Sequence, residues 1–520
     1  MIFINMFKLV LFMLTFMDLL YMNKMILTHY QILIILNETF FNFNENLTLT
    51  FDLYSMSFSI IVSIVVVNVL SFMNIYMNKN VNMKVFFFMT KMFVISMFLL
   101  IHSFNLWTMI LGWEGLGVTS FYLIFYYNNS DSWKSAIKTF INNKLGDCML
   151  IISMMILVLT HNSTKMVTMM FFLAMMTKSA QYPFMAWLPM AMSAPTPISA
   201  MVHSSTLVTA GLFIMFRLMN NFLMKSNMNV ILNLCLMSMF ISGMKAITEK
   251  DMKKMIALST LSQISLIFFF LAMNMKNLAF MYMCNHALFK SLMFINMGMM
   301  MNSNYSSQLN FLMNNSNVMY MNILSYKISC LNLMNMSFFS SFFIKEKMIL
   351  SMETNFLSQM KFVVFVINSF LTMNYSLKMI FFFNQSNSKK KENFTINTKS
   401  YKLSFFLVNM LSVVFSKMMM YFFLCDDTMN ICMLMFYIFT MIINYKNYKN
   451  SFFLLKSLAY LNFMIFVFPF KMKKSMDMNE LWMEKLSLNF YFFFKNKLLY
   501  KSFNMNYKMI MILFLILMFL

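Results

Sequence analysis

The sequence predicts an all-α, polytopic membrane protein of about fifteen transmembrane helices, because each bilayer crossing takes roughly 20 mainly apolar residues. Three observations carry this expectation. The 520-residue chain is 60% hydrophobic. Only 11% of it is charged, against about a quarter in an ordinary soluble domain. Apolar runs of spanning length recur almost from end to end.

The predicted spans cover 2–22, 51–77, 85–104, 106–127, 136–159, 166–182, 197–219, 228–247, 255–273, 277–301, 318–343, 361–383, 402–425, 428–444 and 509–520. The apolar piece Ile26 to Leu36 is too short to cross and holds His29 and Gln31, so it is expected at the interface. All seven glycines lie between Gly112 and Gly298, which points to close helix packing or irregular backbone there. Residues 384–401, with Lys389, Lys390 and Lys391, form the clearest polar loop.

Beyond that loop, hydropathy and charge disagree. With the triple-lysine loop inside, crossings at 402–425 and 428–444 bring Lys446 and Lys449 back inside, as the positive-inside rule requires. A further crossing at 452–470 would put Lys471, Lys473 and Lys474 outside. The segment is therefore expected to lie at the interface. Part of 475–506 is expected to form a lateral amphipathic helix, since Glu480 and Glu484, then Lys497 and Lys501, share the spacing of one polar face. Met509 to Leu520 is the final anchor helix, short enough that Lys508 must snorkel. Cysteines introduced at 450 and 474 should both be labelled from one membrane side; labelling from opposite sides refutes this topology.

The net charge of +23, from 40 Lys and Arg against 17 Asp and Glu, sits mostly in short connections between spans. That is the pattern of membrane orientation, not of nucleic-acid binding. The bias towards Met (71) and Phe (65), with a single arginine at Arg217, fits A/T-rich codons and a mitochondrial code that reads ATA as Met. An organelle-encoded protein is the expectation. Residues 2–22 show neither a cleavage site nor an arginine-rich presequence. Six cysteines without C-x-x-C spacing support no zinc site or iron–sulfur cluster.

An ionisable group inside a span costs a few to about 10 kcal/mol, so each is a functional candidate. Glu114 stands in "LGWEGLG", and Lys144 with Asp147 in "NNKLGD". Lys178 precedes a stretch holding Pro183, Pro189, Pro195 and Pro197; His203 lies in "MVHSSTLVTAG", and His286 with Lys290 in "NHALFKSLMF". Plain alternatives exist for each. Glu114 fits a helix-end carboxylate, Lys144 and Asp147 fit a mutually neutralising pair three residues apart, and His203 fits a hydrogen-bonded core histidine. His286 and Lys290, four apart, share one helix face. Pro183 breaks the helix after Lys178, and such breaks at membrane depth occur where they are buried in protein or line a water-filled cavity. A lysine there, with Glu114 as its available carboxylate, has the requirement for a proton pump: a charge switched by moving its partner. Lys345, Glu346 and Lys347 in "FFSSFFIKEKMIL" offer either an exit site or an ordinary charged loop.

The stretches "GWEGLGVTSFYLIFYY" (112–127), "SAQYPFMAWLPMAMSAPTPISAMVHSSTLVTAG" (179–211), "DMKKMIALSTLSQIS" (251–265) and "HALFKSLMF" (286–294) closely resemble the subunit 5 family of mitochondrial NADH:ubiquinone oxidoreductase, respiratory complex I. The resemblance is dense from about 51 to 300 and weaker from 338 onward. It implies two inverted antiporter-like repeats, each with a broken helix, at the distal end of the complex's membrane arm. It divides the chain into N-terminal helices (1–84), half-channels at 85–250 and 251–384, a polar loop (385–401), peripheral helices (402–450), the interfacial segment with lateral helix (451–506) and the anchor (507–520). Residue by residue, it makes Glu114 and Lys178 the charged pair of the first half-channel. His203 and His286 become central relay groups, Lys290 the connecting lysine, and Lys345 with Glu346 the charged pair of the second broken helix, Glu replacing the usual Asp. The family usually has Arg at Lys144 and Lys378 and Gly at Ser341. A lysine does not copy a bidentate guanidinium, so those roles do not carry over directly.

The implied partners are other complex I membrane-arm subunits, especially neighbouring antiporter-like ones, and the lipid bilayer of the mitochondrial inner membrane. No cofactor is expected in this chain; FMN, iron–sulfur clusters and ubiquinone are implied elsewhere in the complex. Two competing expectations are a free-standing cation/proton antiporter of the same fold and a structural anchor with inert charges.

Overall fold

The computed structural model describes residues 49–77, 82–103, 106–160, 165–218, 228–303, 320–336, 339–354 and 359–382, with a strand at Ile32–Ile34 and isolated positions between Phe7 and Asp18. Everything expected of the loop 384–401, the later spans, the lateral helix and the anchor lies outside these residues, as does most of the first span.

The described residues form a helical bundle with eight helices long and apolar enough to cross a membrane. In order, α1 is Leu53–Tyr76, α2 Met83–His102, α3 Leu106–Ile124, α4 Ser130–Thr160, α5 Lys165–Lys178 and α6 the single turn Trp187–Met190. A continuous helical rod follows, here α7, composed of a first turn Thr196–Ile198, a π-helical segment Ser199–Thr206 and the α-helix Leu207–Leu218. Then come α8 Met228–Thr248, α9 Met252–Ala272, α10 Lys276–Ser303, α11 Tyr320–Met334, α12 Ser340–Thr354 and α13 Gln359–Phe382. A helix apolar all round belongs in an interior, and α9 and α10 accordingly run through the core, buried along nearly all their described length. α2 and α3 instead expose Val85, Phe88, Met92, Trp107 and Leu111, the apolar outer face that hydrocarbon requires.

Side-chain contacts assign the helix ends to two faces. Tyr54 Oη donates to Asn277 Oδ1 at 2.9 Å, and Arg217 Nη1 donates to Ser103 O at 2.8 Å, gathering the starts of α1 and α10 and the ends of α2 and α7 on one face. Lys378 Nζ donates to Ile247 O and Glu249 O, both at 2.6 Å, joining the ends of α8 and α13 on the other.

Two crossings are broken, and they run in opposite directions. Along the first, Gly146 of α4 meets Thr177, then Lys138 Nζ lies 3.5 Å from Met190 Sδ, then Ser135 Oγ lies 2.7 Å from Ser193 Oγ. The contacts thus walk back towards the start of α4 as the chain leaves α5. Along the second, Ser340 meets Asn285 and Lys345 meets Tyr282, so the chain from α11 to α12 runs antiparallel to α10. Both breaks close with the same backbone device. Gln181 N–H donates to Met176 O at 3.0 Å around Ala180 (φ 56°), and Met336 N–H donates to Leu331 O at 3.3 Å around Asn335 (φ 61°). This left-handed helix stop favours Gly or Asn; alanine adopts it against its steric preference.

The apolar piece 26–36, too short to cross, contains a strand, Ile32–Ile34, paired antiparallel with Leu49–Phe51. Two expectations are corrected. The span expected at 136–159 begins at Ser130, because polar residues form its first turns and Asn129 N–H donates to Ser132 Oγ at 2.9 Å. The single span expected at 318–343 is two helices, α11 and α12, interrupted at Asn335.

Candidate functional site

Lys178 ends α5 and is fully buried. Pro183 lacks the N–H with which a helix would resume, so the chain past the break stays irregular until α6. The ammonium donates to Trp113 O at 2.6 Å and lies 4.3 Å from the centroid of the same indole ring. The Trp113 indole N–H in turn donates to Asp147 Oδ1 at 2.6 Å, and Asp147 Oδ2 pairs with Lys144 Nζ at 3.2 Å. A line Lys144, Asp147, Trp113, Lys178 therefore leads from a partly exposed lysine to a buried one. No ion pair joins Glu114 to Lys178 among the described residues. Glu114 is half-buried on α3, beside Trp113, and the buried carboxylate linked to Lys178 through the indole is Asp147.

Two glycines make room here. A Cβ on Gly117 would lie 3.7 Å from Lys178 Nζ, and one on Gly146 would lie 2.0 Å from Thr177 Oγ1. Gly146→Ala therefore pushes α4 from α5 beside Asp147, with an expected destabilisation of about 1–3 kcal/mol. Thermal melting of the purified assembly checks it, and adding Thr177→Ala should restore the midpoint.

His203 lies in the π-helical segment of α7, with its ring centroid 6.2 Å from that of Trp187, whose N–H donates to Thr177 O at 3.0 Å. π-helical turns are rare and gather at functional sites. The hydroxyls of Ser204, Ser205 and Thr206 fold back onto the carbonyls of Ala200 and Met201 in the widened turns. On α10, His286 and Lys290 are fully buried, and Lys290 Nζ donates to Ser259 Oγ of α9 at 2.6 Å. Among the described residues, neither ring nitrogen of His203 or His286 has a hydrogen-bond partner. Buried polar groups are otherwise almost always satisfied.

At the second break, Ser340 Oγ donates to Asn285 Oδ1 at 2.8 Å, and Ser341 Oγ donates to Asn332 O. These bonds tie the start of α12 to α10 and α11. Lys345 and Glu346 are buried at 3% and 2% exposure on α12, not in a loop. Lys345 Nζ lies 5.3 Å from the Tyr282 ring centroid.

The structure thus gathers Lys178 and Asp147 around Trp113, and His286, Lys290 and Lys345 around α10. Five residues escaped sequence reasoning. Trp113 gave a signal, since a buried indole N–H needs an acceptor. Lys253, 5% exposed with Nζ 3.4 Å from Ala194 O, was hidden in a charged run that reads as a helix start. The Tyr282, Gln263 and Tyr375 group resembles ordinary core polarity. Lys378 serves the end of α8. Among the described residues, no group of three or more His, Cys, Asp or Glu could hold a metal ion.

Residues 103–372 match the family model described as NADH:quinone oxidoreductase/Mrp antiporter, TM. NADH-ubiquinone oxidoreductase chain 5 of Locusta migratoria is 36% identical over 386 residues, covering 71% of this chain and 67% of that protein. The chain 5 proteins of Anopheles quadrimaculatus and Caenorhabditis elegans are each 35% identical, over 65% and 64% of this chain and 61% and 65% of their own length. The matched part is thus about two thirds of the locust protein and less of the other two. Two solved structures share the fold, each with a TM-score of 0.69. One is the membrane-bound sulfane sulfur reductase, an archaeal respiratory membrane complex, at 17% identity, covering 79% of this chain and 89% of that one. The other is the Mrp complex from Dietzia sp. DQ12-45-1b, at 19% identity, covering 90% of this chain and 55% of that one. The buried lysines, the oppositely directed broken helices and these matches agree: the chain belongs to the NADH:quinone oxidoreductase/Mrp antiporter transmembrane family, among its NADH-ubiquinone oxidoreductase chain 5 members.

Proposed function

We propose that this chain translocates protons as a membrane-arm subunit of NADH:ubiquinone oxidoreductase, coupled to electron transfer in other subunits. The observation that carries this reading is the set of fully or nearly fully buried lysines, Lys178, Lys290 and Lys345, together with buried His203 and His286, whose ring nitrogens have no hydrogen-bond partner among the described residues. Charges at such depth are too costly to keep as inert anchors. Imidazole nitrogens without protein partners are free to exchange protons with water or with each other.

In the first half, Lys178 holds a proton against Trp113 O, with Asp147 and Glu114 as the negative charges whose rearrangement changes its hold. His203, His286 and Lys290 pass the proton across the centre. Lys345 with Glu346 releases it in the second half. The opposed directions of the two breaks suit entry from one face and exit to the other. The face bearing Lys138, Lys245, Lys250 and Lys254 is the more basic and is assigned to the matrix. We place the assembly in the mitochondrial inner membrane, beside other antiporter-like subunits, with FMN, iron–sulfur clusters and ubiquinone on other chains. The names of the relatives favour this over a free-standing antiporter.

Comparing assemblies with and without this chain in reconstituted vesicles tests the proposal. Fewer protons should be moved per electron when it is missing; the same ratio in both would refute it.

A further inference from the structure

Beside the lysines lies a buried network of neutral groups that the relay above does not use. Tyr282 on α10, Gln263 on α9 and Tyr375 on α13 are all fully buried. The Tyr282 phenol donates to Gln263 Oε1. The Gln263 amide donates to Tyr375 Oη at 2.9 Å, and Tyr375 Oη lies 2.8 Å from Ser262 Oγ. Ser262 donates its one hydroxyl proton to Ser259 O at 3.0 Å. Each phenol is thus held in one orientation by bonds that cross three helices. The network ends beside two lysines: the Tyr282 ring centroid is 5.3 Å from Lys345 Nζ, and Ser259 Oγ accepts from Lys290 at 2.6 Å.

We propose that Tyr282 is a positioning residue for Lys345, a ring platform locked by Gln263 and Tyr375 that holds the ammonium where it takes up and releases its proton. The proposal rests on the proton-translocation reading above. The negative face of an aromatic ring attracts a cation most strongly where water is excluded. α12 starts just after a break, with Ser340 and Ser341 tying its start to α10 and α11, and the Tyr282 ring meets the Lys345 ammonium about one turn further on. Tyr282 belongs to α10, which has no break and lies in the core. Its hydrogen bond to Gln263 stops the ring from rotating away, and Gln263 is itself held by Tyr375.

The test is NADH-driven proton transport by the assembled complex. Tyr282→Leu removes ring and hydroxyl, and transport should fall about tenfold with normal complex content. Tyr282→Phe keeps the ring, and Tyr375→Phe cuts the same chain further along; each should fall about threefold or less. Equal transport in the Leu and Phe variants of Tyr282, at any level, overturns the proposal. If the Leu variant fails to assemble, the double Tyr282→Phe, Tyr375→Phe variant decides, because members of one network lose no more together than singly; additive losses overturn it. Lys178→Ala and Lys345→Ala run alongside. Normal pumping in both defeats the translocation reading, whereas defects in both with normal pumping in Tyr282→Leu defeat this inference alone.

Discussion

Lys178→Ala should lower proton pumping about a hundredfold, the low end of what a positioned acid–base group supplies, and tightly coupled quinone reduction should fall with it. The complex should still assemble. The side chain fills a fully buried site between Trp113, Gly117 and Gly211, and alanine leaves a cavity there while Asp147 keeps its pair with Lys144. The loss would come from removing the group that connects the Asp147 side of the indole to the interior. Asp147→Asn should behave differently. It keeps an acceptor for the Trp113 N–H but loses the pair with Lys144, so pumping should drop less than in Lys178→Ala. Initial rates of NADH-driven acidification in proteoliposomes, normalised to complex content, check both. Wild-type rates and an unchanged proton-to-electron ratio in Lys178→Ala would refute the role of this lysine.

Lys290→Ala should do comparable damage while Lys276→Ala does little, although both residues belong to α10. Lys290 is fully buried, one turn from His286, and donates a hydrogen bond to Ser259 Oγ. Lys276 begins the helix and is only partly buried. A lysine at a helix end reaches water with its stem along the apolar surface, so its removal costs little. Steady-state NADH:ubiquinone turnover of the two variants separates them, and equal losses would contradict the distinction.

The parts legible in the sequence are those that rest on hydropathy and on proline. Long apolar runs became α1, α2, α8, α9 and α10 within a few residues of expectation, because burial or lipid contact demands the same composition. The first break announced itself through Pro183 beside Lys178. The second was expected at Lys345 and Glu346, but its position was not legible, since it turns on Asn335 in a chain rich in asparagine, and nothing there removes a backbone donor. The polar start of α4, with Ser130, Asp131 and Ser132, lies below any hydropathy threshold although it carries helix-start residues. The π-helical turns around His203 have no composition of their own. Within the site, single residues were readable and their partners were not. Lys178 stood out by charge, but its bond to a backbone carbonyl of Trp113 and the indole link to Asp147 depend on how three helices meet.

The most direct test of a single connected path is a double-mutant cycle on the initial rate of NADH-driven proton pumping with Lys178→Ala and Lys345→Ala. The two lysines lie at opposite ends of the proposed relay, and groups that act in series are strongly non-additive. The double variant should pump no worse than the weaker single variant. Losses that add across the two sites would contradict a shared path and make each half an independent channel.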